Sequence, residues 1–308
     1  MRIPKLIRRL KWQVVRGGPG RRSRTLTVAT ANGLLSFPNT DVAIAKTLYI
    51  RRSYELELMS ETISYLRANG YLRPGSGDVV VDVGANIGMT CIALLKHAYF
   101  RQALAFEPCA DNFTLLERNI RQNGMEGAIR AYRCALSDMP GERIMERSED
   151  NCGDNRLRSS SPCIPAALGE DRRRCEQVPV RTLDEVLAAD GTVDPGRIGL
   201  VWVDIQGHEG QFFNGARRTL ARGIPVVSEF WPYGIRRGGL SPAAFTEIVS
   251  SVFTHLVHVD TKSFVFQCHD VRVVPEFFSI FGGPEDFQQI IFLSARGPTS
   301  ATADVRRA

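Results

Sequence analysis

Between residues 79 and 293 the apolar positions keep two alternating rhythms. Short, near-continuous apolar runs at 79–83, 103–106, 129–136, 198–203 and 225–228 read as strands buried on both faces. The stretches between them are amphipathic at helical spacing. Residues 88–96, 111–122, 182–188, 209–220 and 242–251 read as helices. The second carries Phe113, Leu115, Leu116 and Ile120 on its apolar side, and the third has Thr182 as its N-cap. Strand-like runs at 254–259, 264–267 and 288–293 close the series. This alternation predicts an α/β fold, a mostly parallel sheet with helices on both faces.

Upstream of that register, residues 25–40 read as a β-hairpin turning at Asn32-Gly33, and 41–70 as helical, stopped by Gly70. Pro74-Gly75-Ser76-Gly77 marks a boundary. Residues 140–176, rich in Arg, Ser, Pro and Gly, break the rhythm and read as a long irregular insertion with at most one hairpin. The organisation expected is a basic tail (1–24), a cap on the substrate side (25–74), a catalytic domain (75–295) and a loose C-terminal tail (296–308).

Charge changes the picture only at the N-terminus. Residues 1–24 hold nine Lys/Arg and no acid, so the formal +6 of the chain leaves −3 for residues 25–308. A nucleic-acid-binding domain would carry its positive stripe on the fold, so no nucleic-acid partner is expected. The basic segment lacks an apolar signal region and reads as a solvated tail; the alternative is a short amphipathic helix lying on an anionic membrane. Seven cysteines, an odd number with no C-x-x-C pair, suit a reducing compartment. A cytoplasmic location is expected, with the membrane alternative placing the protein against the inner face.

Five acids fall at the ends of apolar runs: Asp82, Glu107, Asp138, Asp204 and Glu229. In a parallel sheet those ends form one edge, where ligands bind. Each alone has a plainer reading as a turn or capping residue. Together they describe an acidic pocket that repels a pyrophosphate and suits a cationic nucleoside ligand. Gly84 and Gly88 are spaced G-x-x-x-G, so the dinucleotide fingerprint is absent. Glu107, 19 residues past Gly88, stands where an acid holds ribose hydroxyls, and Ser137-Asp138 where adenine would be bordered. Asp204, His208 and Glu209 gather past the fourth strand. His208 is the natural general base there, against a plainer role in starting the next helix. Asp204, Glu209 and Glu229 are also hard oxygen ligands, but no dense Asp-x-Asp cluster appears and no metal is expected.

These pieces together resemble the FkbM-type methyltransferases, a family of class I S-adenosylmethionine-dependent enzymes. The matching segments are Val81-Asp82-Val83-Gly84-Ala85-Asn86-Ile87-Gly88, Phe106-Glu107-Pro108, Ala135-Leu136-Ser137-Asp138, Arg181-Thr182-Leu183-Asp184 and Val203-Asp204-Ile205-Gln206-Gly207-His208-Glu209, over roughly residues 25–235. The last is the most specific; Gln206 departs from the acid or small polar residue more usual there. The resemblance implies a Rossmann-like, seven-stranded sheet and methyl transfer to a hydroxyl of a sugar, glycan or natural product. It implies that Asp82, Gly84, Ala85, Asn86 and Gly88 shape the methionine pocket, Glu107 holds the ribose, and Ser137 and Asp138 border the adenine. Asp150–Leu157 resembles a family loop near the acceptor, which brings in Asn151 and Arg156; Glu229 and Trp231 join them on the acceptor side. The rival readings are an NAD-dependent oxidoreductase, disfavoured by the glycine spacing and Asp82, and a non-catalytic module on the same fold.

Overall fold

The computed structural model describes residues 4–16, 23–72, 77–191 and 193–294. The expected C-terminal tail and the Pro74-Gly75-Ser76 boundary lie outside them. Lys5–Val15 forms α1, so this part of the basic segment is a helix packed on the fold through Trp12 and not a solvated tail. Thr25–Ala29 and Leu34–Pro38 pair as the antiparallel hairpin β1–β2. The expected helix over 41–70 is two helices, α2 (Ile44–Arg51) and α3 (Leu56–Ala68). Arg52 and Glu55 between them take left-handed backbone angles, which breaks the helix.

The alternating series follows: β3 (Val79–Val83), α4 (Met89–Lys96), β4 (Gln102–Phe106), α5 (Ala110–Gln122) and β5 (Ile129–Tyr132). The third apolar run does not continue as one strand. Its end, β6 (Ala135–Leu136), leaves the main sheet and pairs elsewhere. The region expected to be irregular is ordered: β7 (Gly141–Arg147), β8 (Arg156–Leu157) and β9 (Arg174–Arg181) form with β6 a second sheet in the order β6-β9-β7-β8. Seven antiparallel pairs join β7 to β9. Next come α6 (Leu183–Asp190), β10 (Ile198–Val203), α7 (Glu209–Gly215), α8 (Arg217–Leu220), β11 (Val226–Phe230), α9 (Pro232–Arg237) and α10 (Pro242–Ser250). The chain closes with β12 (His255–Val259), β13 (Phe266–Asp270), α11 (Val274–Ile280) and β14 (Gln288–Leu293).

The main sheet has eight strands, not seven, in the order β13-β12-β14-β11-β10-β3-β4-β5. From β5 to β11 all pairs are parallel; β14 pairs antiparallel with β11 and β12, and β13 antiparallel with β12. The extra strand arises because β12 runs straight back as a hairpin. β3 and β10 are buried along their whole length, as parallel central strands must be. Their side chains divide by the period of two. Val80 and Trp202 join Leu48, Met59, Ile63 and Ile92 on one face; Val79, Val81 and Val203 join Phe212, Phe213, Phe245 and Phe253 on the other. Asp82 falls on the first face, among the N-terminal helices.

Candidate active site

A cavity of about 650 Å³ lies at the carboxyl edge of the central strands. Asp82 in β3 and Gly84, Ala85 and Asn86 beyond it line the cavity, with Glu107 beyond β4, Asp204, Gln206 and His208 beyond β10, and Glu229 and Trp231 at the end of β11. Ala43, Ile44, Thr47, Tyr54 and Glu55 form the wall contributed by α2 and the α2–α3 junction. Asn151 through Leu157 cover another side.

Gly84 has φ 85°, and a Cβ there would overlap the carbonyl oxygen of Asp204, so two strand-end loops touch backbone to backbone. Asp82 is buried, and its Oδ2 accepts from the N–H of Cys91 at 3.0 Å in the first turn of α4. Burial pushes its carboxyl up to about 7. Glu107 is held from both sides: Oε2 accepts from the Asn86 N–H at 2.9 Å and Oε1 from the Cys109 N–H at 2.8 Å. Burial raises it to about 7 as well, against those hydrogen bonds. Asn86, at φ 51°, donates from Nδ2 to the Cys152 carbonyl at 3.0 Å, and Asn112 donates to the same oxygen at 3.1 Å. Asp41 accepts from the Cys152 N–H at 2.7 Å. The loop around Cys152 is thereby clamped between the N-terminal wall and the β3–α4 turn.

A second acidic group lies across the cavity. Gln206, at φ 56°, donates from Nε2 to Asp204 at 2.7 Å and to Glu229 at 2.9 Å. Desolvation raises Asp204 to about 6 and lifts Glu229 well above its ordinary value, with Asp204 adding like charge. Glu55 rises to about 7 by the same desolvation, with Asp204 next in effect. Asp204 and Glu55 are exposed to the cavity, so water entering it screens them and weakens the shift; Asp82 and Glu107 meet the cavity with little of their surface and are screened less.

Several expected site residues stand elsewhere. Gly88 is not on the cavity wall; a Cβ there would meet Leu116 and Ile92, so it serves the packing of α4 on α5. Ser137 and Asp138 lie behind the wall, which is made there by Cys134, Ala135 and Leu136. The Ser137 hydroxyl donates to Asp138 at 2.8 Å and lies 2.8 Å from His208 Nε2, while Arg143 pairs with Asp138 at 3.2 Å. Burial, with Arg143 nearby, drives His208 down to about 4, leaving a neutral imidazole tied to Ser137. Glu209 turns away from the cavity: its Oε1 accepts from the N–H groups of Gly207 at 3.2 Å and Ile205 at 3.4 Å. Asp204, Glu209 and Glu229 therefore do not share a centre. Trp231 is both core and wall, donating to the Pro284 carbonyl at 3.0 Å and stacking on Phe287. The Arg156 guanidinium lies 4.7 Å over its ring and is ion-paired with Asp154 at 2.5 Å. Tyr233 leaves the cavity to donate to Glu170 at 2.6 Å.

Tyr54, Glu55 and Asn112 line the cavity without having been read as site residues, and Cys152 and Asp154 line it from the Asp150–Leu157 loop expected near the acceptor. Asn32 gives a signal only in retrospect. Its side chain bonds Tyr54 N and O, both at 2.8 Å, and Met89 O at 3.3 Å, so this buried turn residue fixes the strained junction that presents Glu55.

The model of the methyltransferase FkbM domain matches residues 82–262, more than half of the chain. Methyltransferase sdnD of Sordaria araneosa is 29% identical over 184 residues, covering 52% of this chain and 70% of that protein. The 31-O-demethyl-FK506 methyltransferase FkbM of Streptomyces tacrolimicus is 45% identical over 82 residues, covering 26% of this chain and 30% of that protein. A crystal structure of a methyltransferase FkbM from Methylobacillus flagellatus aligns with 94% of this chain at 14% identity and a TM-score of 0.43, and the chain spans 58% of its length. The matched region takes in every strand-end loop around the cavity, from Asp82 to Trp231, and the chain belongs to the FkbM methyltransferase family.

Proposed function

We propose that the protein transfers the methyl group of S-adenosylmethionine to a hydroxyl oxygen of a sugar, glycan or natural-product acceptor. The observation that carries this reading is the pair of carboxylate groups facing one cavity: Asp82 and Glu107 in one part, Asp204 and Glu229 with Gln206 in the other. The volume lies in the range of small-molecule sites. When bound, S-adenosylmethionine supplies a methyl group activated by a positively charged sulfur. Asp82 would attract its ammonium, Glu107 would accept from its ribose hydroxyls, and the close backbone at Gly84, Ala85 and Asn86 would follow its contour.

Asp204 is the group best suited to take the acceptor's hydroxyl proton. It faces the cavity, and its raised pKa brings it nearer to neutral pH than an ordinary carboxylate. Glu229, held beside it through Gln206, is lifted well above its ordinary value by burial and by the Asp204 charge, which favours placing the negative charge of the pair on Asp204. His208 is a weaker base and is already bonded to Ser137. Arg156 is ion-paired with Asp154, an acid it shares with Arg173. The name of the Streptomyces relative points to a natural-product oxygen as one acceptor.

The test is a screen with labelled S-adenosylmethionine against sugar nucleotides, glycans and hydroxylated natural products, with cofactor binding followed by calorimetry. Asp204→Asn is expected to lower kcat by about 10²–10⁴ while cofactor binding persists, and His208→Ala to leave kcat within about tenfold. Full turnover by Asp204→Asn would remove Asp204 as the base. Failure to bind S-adenosylmethionine at all would overturn the function.

A further inference from the structure

α1 takes no part in the cavity, yet the structure builds it with two opposed faces. One face holds it to the fold. Trp12 is buried, 1% exposed, with its ring 5.4 Å from that of Tyr49 on α2. Arg8 Nε donates to the Ile50 carbonyl at 2.7 Å, and Asn39 donates to the Val15 carbonyl at 2.7 Å. The other face is apolar and open: Leu6 is 68% exposed, Ile7 43%, Leu10 64% and Val14 75%. At about 100° per residue these four fall within one arc of roughly 100°, and Leu10 stands about 200° from Trp12. The apolar stripe therefore points away from the body of the protein. Lys11 borders it on one side, and Lys5, Arg9 and Gln13 on the other. No acid occurs on the helix or anywhere in residues 1–24.

We propose that α1 docks the protein on an anionic lipid bilayer. The apolar stripe enters the boundary between headgroups and acyl chains. The flanking lysines and arginine extend to the headgroup phosphates, their aliphatic stems lying along the apolar boundary. Charge decides between this occupant and a second copy of the chain, since two copies would press together two helices without a single acid. The helix is also already ordered on the fold through Trp12, so docking does not carry the entropy cost that makes short free helices bind weakly. α1 rests on α2, whose Ile44 and Thr47 line the cavity, so the docked surface adjoins a cavity wall. The inference stands independently of the proposed methyl transfer.

The test is co-sedimentation of the full chain with vesicles of phosphatidylcholine alone and with about 30% phosphatidylglycerol. Binding is expected to the anionic vesicles, falling at least about tenfold on neutral vesicles, in high salt, and in either Leu6→Ser/Leu10→Ser/Val14→Ser or Lys5→Gln/Arg9→Gln/Lys11→Gln. All six positions are exposed, so both variants should melt at the wild-type temperature. Absence of binding to anionic vesicles, equal binding to neutral ones, or wild-type binding by the triple-serine variant would overturn the proposal. So would a wild-type dimer in light scattering that the serine variant dissolves, with no vesicle binding by either.

Discussion

At the residue scale, the site rests on two buried carboxylates, Asp82 and Glu107, and on backbone at Gly84 that other side chains would not tolerate. Asp82 and Glu107 both titrate near 7, far above exposed carboxylates, because burial penalises their charged forms. A cationic ligand beside them needs the ionised form. Its affinity should therefore rise as pH increases through about 7 and weaken below, with protons released on binding at pH 6. Calorimetry in buffers of different ionisation enthalpy measures that release directly; none at pH 6 would show that neither carboxylate meets the ligand's charge. Gly84 makes a second prediction. Alanine there meets both a left-handed φ and the Asp204 carbonyl, so Gly84→Ala should cost at least about 3 kcal/mol in denaturant unfolding. The acids ending the strands were legible in the sequence because a parallel sheet sends its carboxyl ends to one edge. Which of them face the cavity was not: Asp82, Glu107, Asp204 and Glu229 do, while Asp138 is drawn off by Ser137 and Arg143.

At the element scale, legibility follows how far each element depends on its own residues. α6 announces itself: Thr182 accepts from the Glu185 N–H at 3.1 Å, Glu185 reaches back to the Thr182 N–H, and Gly191 ends the helix in a left-handed conformation. Thr182→Ala should destabilise the protein by about 1 kcal/mol with little change in the cavity, read from the shift in melting temperature. The central strands were equally plain because, Asp82 apart, β3 and β10 are apolar along their length. The sequence allowed a hairpin in this region, but the long-range pairing of β7 with β9 was not legible, because both strands are rich in charged and polar residues and are held by each other, with Gln177 bonded to Glu142 and Arg147 to Glu176 at 3.1 Å. Likewise the break at Ala216 between α7 and α8 follows from the close approach of Gly215 to the Ser137 carbonyl, a contact of high sequence separation.

At the scale of the whole molecule, the buried acids set how stability changes with pH. Asp82, Glu107 and Glu209 each rise to about 7, so between their unfolded values near 4 and pH 7 the folded protein holds more protons than the unfolded chain. Their burial therefore costs stability increasingly as pH rises through that window. His208, lowered to about 4, works oppositely, giving stability that is present above about 6.5 and lost as pH falls toward 4. Three acids outweigh one imidazole, so the ligand-free protein should melt higher near pH 5.5 than near pH 8; a melting temperature that climbs over that range would contradict it. The sequence by itself determined the parallel core, the ligand edge and the family, because those depend on patterns that repeat locally: buried runs, glycine turns, an acid at each strand end. Tertiary structure alone decided that the run read at 264–267 joins the main sheet as its eighth strand, that a second sheet forms, which face of α1 is left uncovered, and the wall that Tyr54 and Glu55 bring to the cavity. Those features depend on pairings between distant segments, and on which face of a helix the rest of the protein leaves uncovered.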